Sequence, residues 1–187
     1  MEKYLLDHLD NPTCLGTLLC CHTGLRIGEL CALCWEDIDL EQGILHVRRT
    51  IQRIKVYRDG KGYSQVIFST PKSKKSVRDI PLSPDILQHL RAAARKPEDF
   101  VIPGKNCSYA EPRTLQYRFR TILSECGIEY FNFHMLRHIF ASRCIALGFD
   151  TNSVSELLGH ANVQITLELY VHSSAERKRE LMSLFYL

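Results

Sequence analysis

Residues 15–21 form a mainly apolar stretch with Gly24 just beyond its end, a pattern that predicts a helix stopped by a glycine. A second helix is predicted over 26–34, where Ile27, Leu30 and Cys34 recur on one face. Residues 35–43 read as a loop. The period then changes: Val47 and Ile51, and later Val66 and Phe68, sit in β-branched stretches with polar alternation. That predicts three antiparallel strands over 44–56, 64–69 and 77–82. Residues 58–62 turn between the first two and 71–76 between the last two, so that Lys72 projects from a hairpin.

Helical spacing returns with Pro84, which opens a helix to about Ala94; 96–109 is a Pro-, Gly- and Asn-containing loop, and 111–126 is again helical. A helix over 133–147 carries Leu136, Phe140, Cys144 and Leu147 as its buried stripe and ends at Gly148. Ser153-x-x-Glu156 has the form of a capping box, with Thr151 an alternative cap, for a short helix that stops at Gly159 and leaves His160 in the connection. Asn162 is a cap for the next helix, on which Val163, Thr166, Leu167 and Tyr170 share a face, and 175–185 reads as a last amphipathic helix. The class expected is one mainly helical α+β domain with a small three-stranded antiparallel sheet.

Composition narrows this only a little. At 187 residues the chain is one domain with ample material for a core. Its net charge of +3 permits an acidic partner without requiring one. Charge is concentrated in two groups, Lys72, Lys74, Lys75 and Arg78, then Arg113, Arg118 and Arg120; each is either a solvated face or a nonspecific phosphate contact. The eight cysteines lie mostly in apolar stretches, where reduced thiols act as small hydrophobes. Cys31-x-x-Cys34 has ligand spacing, but no second pair follows at a suitable interval, so no metal site is expected. Reduced thiols, the absence of an export signal in the first ten residues and the absence of a long apolar span point to the cytoplasm, with no membrane partner.

Four segments carry phosphate-handling groups in a fixed order: residues 23–29 with Arg26, residues 71–75 with Lys72, residues 134–138 with His134, Arg137 and His138, and residues 158–160 with His160, followed by Tyr170. Such a set suits breaking a phosphodiester through a tyrosine intermediate. A free tyrosine, with a pKa of about 10, is a poor nucleophile, so attack on phosphorus needs positive charge around the phenolate and donors on the non-bridging oxygens. Arginine suits the second task because its planar fork grips two oxygens and stays charged. Lysine or histidine can supply the proton that the departing sugar oxygen needs. Arg26 in a first helical turn opposes the helix dipole, a conflict that a bound anion would remove. His134 and Arg137, three apart, leave one helix face together.

Each group has a plainer reading when taken alone. Arg26 and Lys72 are then surface cations, His134 and Arg137 a helix-surface pair, His160 a backbone partner, Tyr170 a core aromatic and Glu29 an ordinary helical carboxylate. The ordered coincidence of all four contexts is what weighs against those readings.

The same segments resemble the tyrosine recombinase (phage-integrase) family over residues 12–182. Residues 23–30 with Leu33 and 35–38 look like its first arginine block, and Pro71-Lys72 with Arg78-x-Ile80-Pro81-Leu82 resembles its lysine hairpin. His134-Met135-Leu136-Arg137-His138 resembles the His-x-x-Arg block, and 158–162 with Thr166 and 170–172 its final histidine and nucleophile block. The resemblance implies the catalytic-domain fold and the following roles. Tyr170 attacks the scissile phosphate to form a 3′-phosphotyrosyl bond, and Arg26, Arg137 and His160 hold the phosphate oxygens. Lys72 is the general acid, with Lys74 and Lys75 in the same turn as alternatives. His134 assists proton transfer at the tyrosine, Glu29 is a support and His138 an accessory group. No metal or nucleotide cofactor is implied. The implied partner is double-stranded DNA, with four copies on paired sites and a monomer without DNA, and the implied task is integration or excision of a mobile element.

Arg26 comes too early in the chain to leave room for the family's N-terminal core-binding and arm-binding domains. The expectation is therefore a single catalytic domain over 1–187, a fragment or a shortened product. Type IB topoisomerase-like relaxation shares the chemistry and differs in lacking synapsis of two duplexes. A non-catalytic DNA-binding regulator is the reading from another class, and it has no use for Tyr170.

Overall fold

Asn11 starts the most deeply buried helix. Its side chain accepts a hydrogen bond from Thr13 N at 2.9 Å, and Pro12 occupies the first helical position, where a missing N–H costs nothing. The coordinates are a computed structural model and describe residues 1–58 (Arg58 by its backbone only), 60–70, 76–105 and 107–160. After α1 (Glu2–Asp7), this helix, α2 (Pro12–Thr23), is buried over nearly its whole surface. Its polar side chains are satisfied internally: the hydroxyls of Thr17 and Thr23 donate to Thr13 O and Leu19 O, each at 2.7 Å.

Gly24 ends α2 at φ 63°, a left-handed conformation that side chains rarely adopt. A Cβ there would lie 2.6 Å from the Phe140 ring and 2.7 Å from a Leu158 methyl, so this turn is also where the end of α2 meets two later helices. Next comes α3 (Ile27–Ala32), with Arg26 just outside it as the cap rather than inside its first turn. At Gly28, α3 lies so close to the following strand that a Cβ would sit 2.5 Å from Ile51 O.

The strands are β1 (Ile38–Asp39), β2 (Ile44–Val47), β3 (Thr50–Arg58), β4 (Lys61–Ser69) and β5 (Arg78–Pro81). They form two antiparallel sheets, β1-β2-β5 and the hairpin β3-β4, so the α+β class stands while the membership of the sheet differs from expectation. The stretch 44–56 is two strands, divided at Arg48 and Arg49, and 35–43 holds a 3₁₀ turn (Trp35–Asp37) and β1 instead of being all loop. Arg49 explains the division: it donates to Glu36 and Asp37 at 2.8 and 2.7 Å and pulls the chain out of the β2 line. Val47 pairs with Arg78 across β2 and β5, which sets Arg78 at the start of the strand that follows residues 71–75.

The remaining described helices are α4 (Pro84–Ala93), α5 (Pro112–Glu125), α6 (His134–Ala146) and α7 (Thr151–Leu158). Asp150 caps α7, accepting from Ser153 N at 3.0 Å, so neither Ser153 nor Thr151 is the cap. Leu147 is 71% exposed, because the helix ends before it and its side chain leaves the stripe of Leu136, Phe140 and Cys144. The main core gathers Leu18, Leu19, Leu30, Leu45, Phe119 and Leu136, and a smaller cluster of Phe140, Ala141, Cys144, Val154 and Leu158 joins α6 to α7. Each such fully buried leucine contributes roughly 2 kcal/mol through burial. Among the described residues no helix is long and apolar enough to cross a membrane, and no cluster of three His, Cys, Asp or Glu could hold a metal ion. Lys72, Lys74, Lys75, Asn162, Tyr170 and the helices expected after residue 161 lie outside the described residues.

Candidate active site

The last turn of α7 is where the first, third and fourth motif segments meet. Helix C-termini leave carbonyls without an intrahelical donor, and the dipole makes that end negative. Here three successive carbonyls each accept from a different guanidinium. Arg78 Nε donates to Leu157 O at 2.6 Å, Arg137 Nη2 to Leu158 O, and Arg26 Nη2 to Gly159 O at 3.1 Å. The next residue is His160, whose backbone N–H donates to Ser155 O at 3.0 Å and so fixes where its ring departs from the chain.

One carboxylate organises the arginines. Glu29 is 3% exposed and accepts from the Arg26 backbone N–H at 2.9 Å and from Arg26 Nη1 at 2.8 Å. Arg78 grips the same carboxylate with both terminal nitrogens, at 3.1 and 3.0 Å. Burial alone would push the Glu29 pKa up, but the hydrogen bonds and charge of Arg78, then Arg26, hold it below the usual carboxylate range. Glu29 is thus an ionised hub rather than a plain helical carboxylate. It also answers the conflict between Arg26 and the α3 dipole from within the protein, as the acidic residue at the third helical position.

Arg137 projects from α6 into the interior and is 3% exposed. It donates to Gly24 O at 2.7 Å and to Leu158 O, tying the end of α2 to the end of α7. Burial and then repulsion from Arg26 lower its pKa to about 9, against the opposing charge of Glu29, so it stays cationic at neutral pH. His134 starts α6, its ring edge-to-face with His138 at 4.9 Å between centroids. Its pKa is lowered by burial, then by His138, Arg137 and Arg26. His160 is lowered to about 4 by burial, then by Arg137, Arg26, Arg78 and His134. Both imidazoles are therefore neutral at pH 7 in the absence of an anion.

Arg26, His134, Arg137 and His160 thus stand close enough to shift one another's titration. Around them three guanidinium groups face one carboxylate. The arrangement can hold a tetrahedral anion: a guanidinium has five N–H donors, and the described bonds of Arg26 and Arg137 use two from each. A bound anion would also relieve the repulsion that lowers Arg137.

Arg78 was grouped by sequence with a surface lysine cluster and is instead a buried member of this network, its side chain 6% exposed. Its spacing of two from buried Ile80 puts it on the inward face of β5, and its pairing opposite Val47 holds it there. In the second basic group, Arg118 donates to Pro103 O at 3.0 Å and Arg120 lies over the Tyr130 ring at 5.5 Å, so both have partners within the fold.

Comparison with known proteins agrees with this geometry. The profile of the phage integrase family matches residues 3–177. A XerC-like tyrosine recombinase of Caldanaerobacter subterraneus is 30% identical over 178 residues, covering 86% of this chain and 46% of that protein. A tyrosine recombinase XerC of Xanthomonas campestris is 32% identical over 155 residues, covering 80% and 41%. The chain therefore spans less than half the length of these relatives. Among solved structures, the Tn1549 transposon integrase in complex with transposon right-end DNA superposes with a TM-score of 0.75 at 22% identity, covering 97% of this chain and 63% of that one. XerA recombinase superposes at 0.69 and 23%, covering 97% and 60%. At such identities these two matches show a shared fold.

Proposed function

The chain belongs to the phage integrase family, as a tyrosine recombinase catalytic domain, and from that premise we propose that it cleaves and rejoins DNA strands through a covalent bond at Tyr170. The observation that carries this reading is the cationic surplus around Glu29 among the described residues: their hydrogen bonds to buried Arg137 and half-exposed Arg26 take two N–H donors from each, beside a neutral His160. Charge left uncompensated inside a fold is costly, and a scissile phosphate is the ligand that compensates it.

In the proposed step the Tyr170 oxygen forms a bond to phosphorus while the bond from phosphorus to the 5′-oxygen breaks. His134, neutral in the free protein, takes up the phenol proton, and Lys72 gives a proton to the departing 5′-oxygen. Arg26, Arg137 and His160 hold the two non-bridging oxygens as the transition state forms. The phosphotyrosine keeps the energy of the broken ester, so attack by a 5′-hydroxyl of another strand reseals the DNA without metal or nucleotide. Exchange between strands places four copies on two paired duplexes, with a monomer in the absence of DNA.

Support for integration or excision of a mobile element comes from the company the chain keeps. A relative at 27% identity is named prophage integrase IntR of Escherichia coli, and the fold neighbour above is a transposon integrase.

The test is a nicked duplex that loses its 5′-hydroxyl fragment after cleavage and so traps the covalent complex. An adduct that survives denaturation, and that is absent with Tyr170→Phe, is the expected result. Tight duplex binding with no adduct, in a protein restored to the full length of its relatives, would instead make this a binding module.

A further inference from the structure

Arg78 spends its described hydrogen bonds on protein groups, among them the carboxylate beside Arg26 and the helix turn that precedes His160. Its two terminal nitrogens bind both oxygens of Glu29, its Nε binds Leu157 O at 2.6 Å, and Nη1 also donates to Ser76 O at 3.1 Å. Glu29 in turn orients the Arg26 guanidinium and backbone. Leu157 lies three residues before His160 on the final turn of α7. Arg26 and Arg137 must divide their donors between α7 carbonyls and a ligand, whereas Arg78 donates on all sides to protein groups.

A planar fork is required here. Only a guanidinium can span a bidentate carboxylate and a carbonyl on another side at once; a lysine ammonium is a point charge on a flexible stem. The separation of the α7 turn from α3 is therefore set by the length and planarity of this side chain together with Arg26, which spans Glu29 and Gly159 O. Arg78 follows Lys72 by six residues, so the strand it opens also anchors the far end of the lysine segment.

We propose that Arg78 is a positioning residue of the strand-cleavage site, fixing Arg26 and His160 relative to each other through Glu29 and the last turn of α7. This inference rests on the reading that the cluster binds the scissile phosphate. A displacement of about 1 Å in such a site can slow a reaction about 100-fold, which sets the scale of the effect.

Two assays on the full chain, with wild type and Arg78→Lys, test it. Arg78→Lys keeps a cation beside buried Glu29, so the fold is retained, and circular dichroism checks this. In the first assay, adduct formation on the nicked substrate at saturating DNA is expected to slow by about 10- to 100-fold, while DNA affinity changes by less than about threefold, since Arg78 makes no phosphate contact. In the second, without DNA, sulfate is titrated while the His160 ring resonances are followed by NMR. Sulfate affinity is expected to weaken by about tenfold in Arg78→Lys, although the altered residue does not touch the anion. Adding Glu29→Gln should weaken it little further, because both changes act through one linkage.

A folded Arg78→Lys protein within twofold of wild type in both assays overturns the inference, and so do losses in sulfate affinity that multiply in the double variant. Should wild type form no adduct at all, the proposed function fails, and the sulfate titration alone then decides the role of Arg78.

Discussion

Two arginine–carboxylate clusters border one small cavity, which Glu29, Asp37 and Arg49 all line, and their charge balance differs. At the start of β3, Arg49 is shared by two carboxylates, Glu36 and Asp37, at 2.8 and 2.7 Å. Burial would lower the Arg49 pKa, but the hydrogen bond and charge of Asp37, then Glu36, raise it. The cation there is held by anions already in the protein. Around Glu29 the ratio is reversed among the described residues, with Arg26 and Arg78 on one carboxylate and Arg137 nearby on backbone carbonyls, lowered to about 9. Both clusters look alike as lists of ion pairs. A balanced cluster is fastening, whereas a cationic surplus held in place by carbonyls and one buried anion is a site prepared for a negative ligand.

The largest separation between the two should come from truncating one cation in each. Arg137→Ala is expected to slow covalent adduct formation by about 10²- to 10³-fold, the usual loss when one donor to a transition-state oxyanion is removed. Arg49→Ala should leave that rate within a factor of about three in single-turnover trapping. Comparable losses in both would mean that the surplus around Glu29 has no special part in the chemistry.

Stability should respond the other way at the balanced cluster. Asp37 is 3% exposed and also accepts from Cys34 N at 3.1 Å, so Asp37→Ala strands a buried N–H and leaves Arg49 with Glu36 alone. A cost of about 2 kcal/mol is expected, read as a lower urea midpoint with unchanged slope. Adduct formation below the new unfolding midpoint should persist.

Sulfate separates the clusters by anion binding alone, without any DNA chemistry. At ten times its dissociation constant an anion bound only by the folded protein adds about 1.4 kcal/mol, or a rise of about 3–5 °C in melting temperature. Arg137→Gln should abolish that rise, and Arg49→Gln should keep it. A rise of equal size in Arg137→Gln would place the anion elsewhere.

Which parts of this contrast could be read from residues alone follows from how local each determinant is. Helices α2, α4, α5 and α6 declare themselves through apolar spacing and flanking glycine or proline, because a helix meets most of its requirements within its own segment. The division of 44–56 does not, since every residue there suits a strand, and the break is set by two carboxylates about a dozen positions earlier. The α7 cap was misassigned among Thr151 and Ser153 because cap geometry depends on which residue is extended, and Asp150 is. Arg26, Arg137 and His160 stand out in sequence because each sits in a short motif, although the carbonyls that place both arginines are distant in the chain. Arg78 does not: beside Lys74 and Lys75 it looks like one more surface cation, and strand pairing and the distant Glu29 give it a different role.

The smallest expected effect concerns pH, and it reports directly on the surplus. Burial, reinforced by Arg137, Arg26, Arg78 and His134, lowers the His160 pKa to about 4, against about 6.5 in an unfolded chain. Between those values the unfolded chain carries a proton that the folded chain refuses, so unfolding takes up protons and stability falls as pH drops from about 6.5 towards 4. Above about 6.5 His160 contributes no slope. The His134 pKa is shifted in the same direction, first by burial, and adds to the trend. Bound sulfate, which does not titrate in this range, offsets the guanidinium field and moves the His160 pKa back up. Its binding should therefore take up part of a proton and tighten, by less than about tenfold, between pH 6.5 and 4.5. Glu29, held below the usual carboxylate range, stays ionised through most of that window and does not mimic the effect. In His160→Gln the pH dependence of sulfate affinity should shrink to the share left by His134, as measured by calorimetry in two buffers of different ionisation enthalpy. Sulfate affinity that is flat with pH in the wild type would mean that the anion sits out of reach of the imidazole. The three guanidinium groups would then be holding α7 in place without preparing a phosphate site.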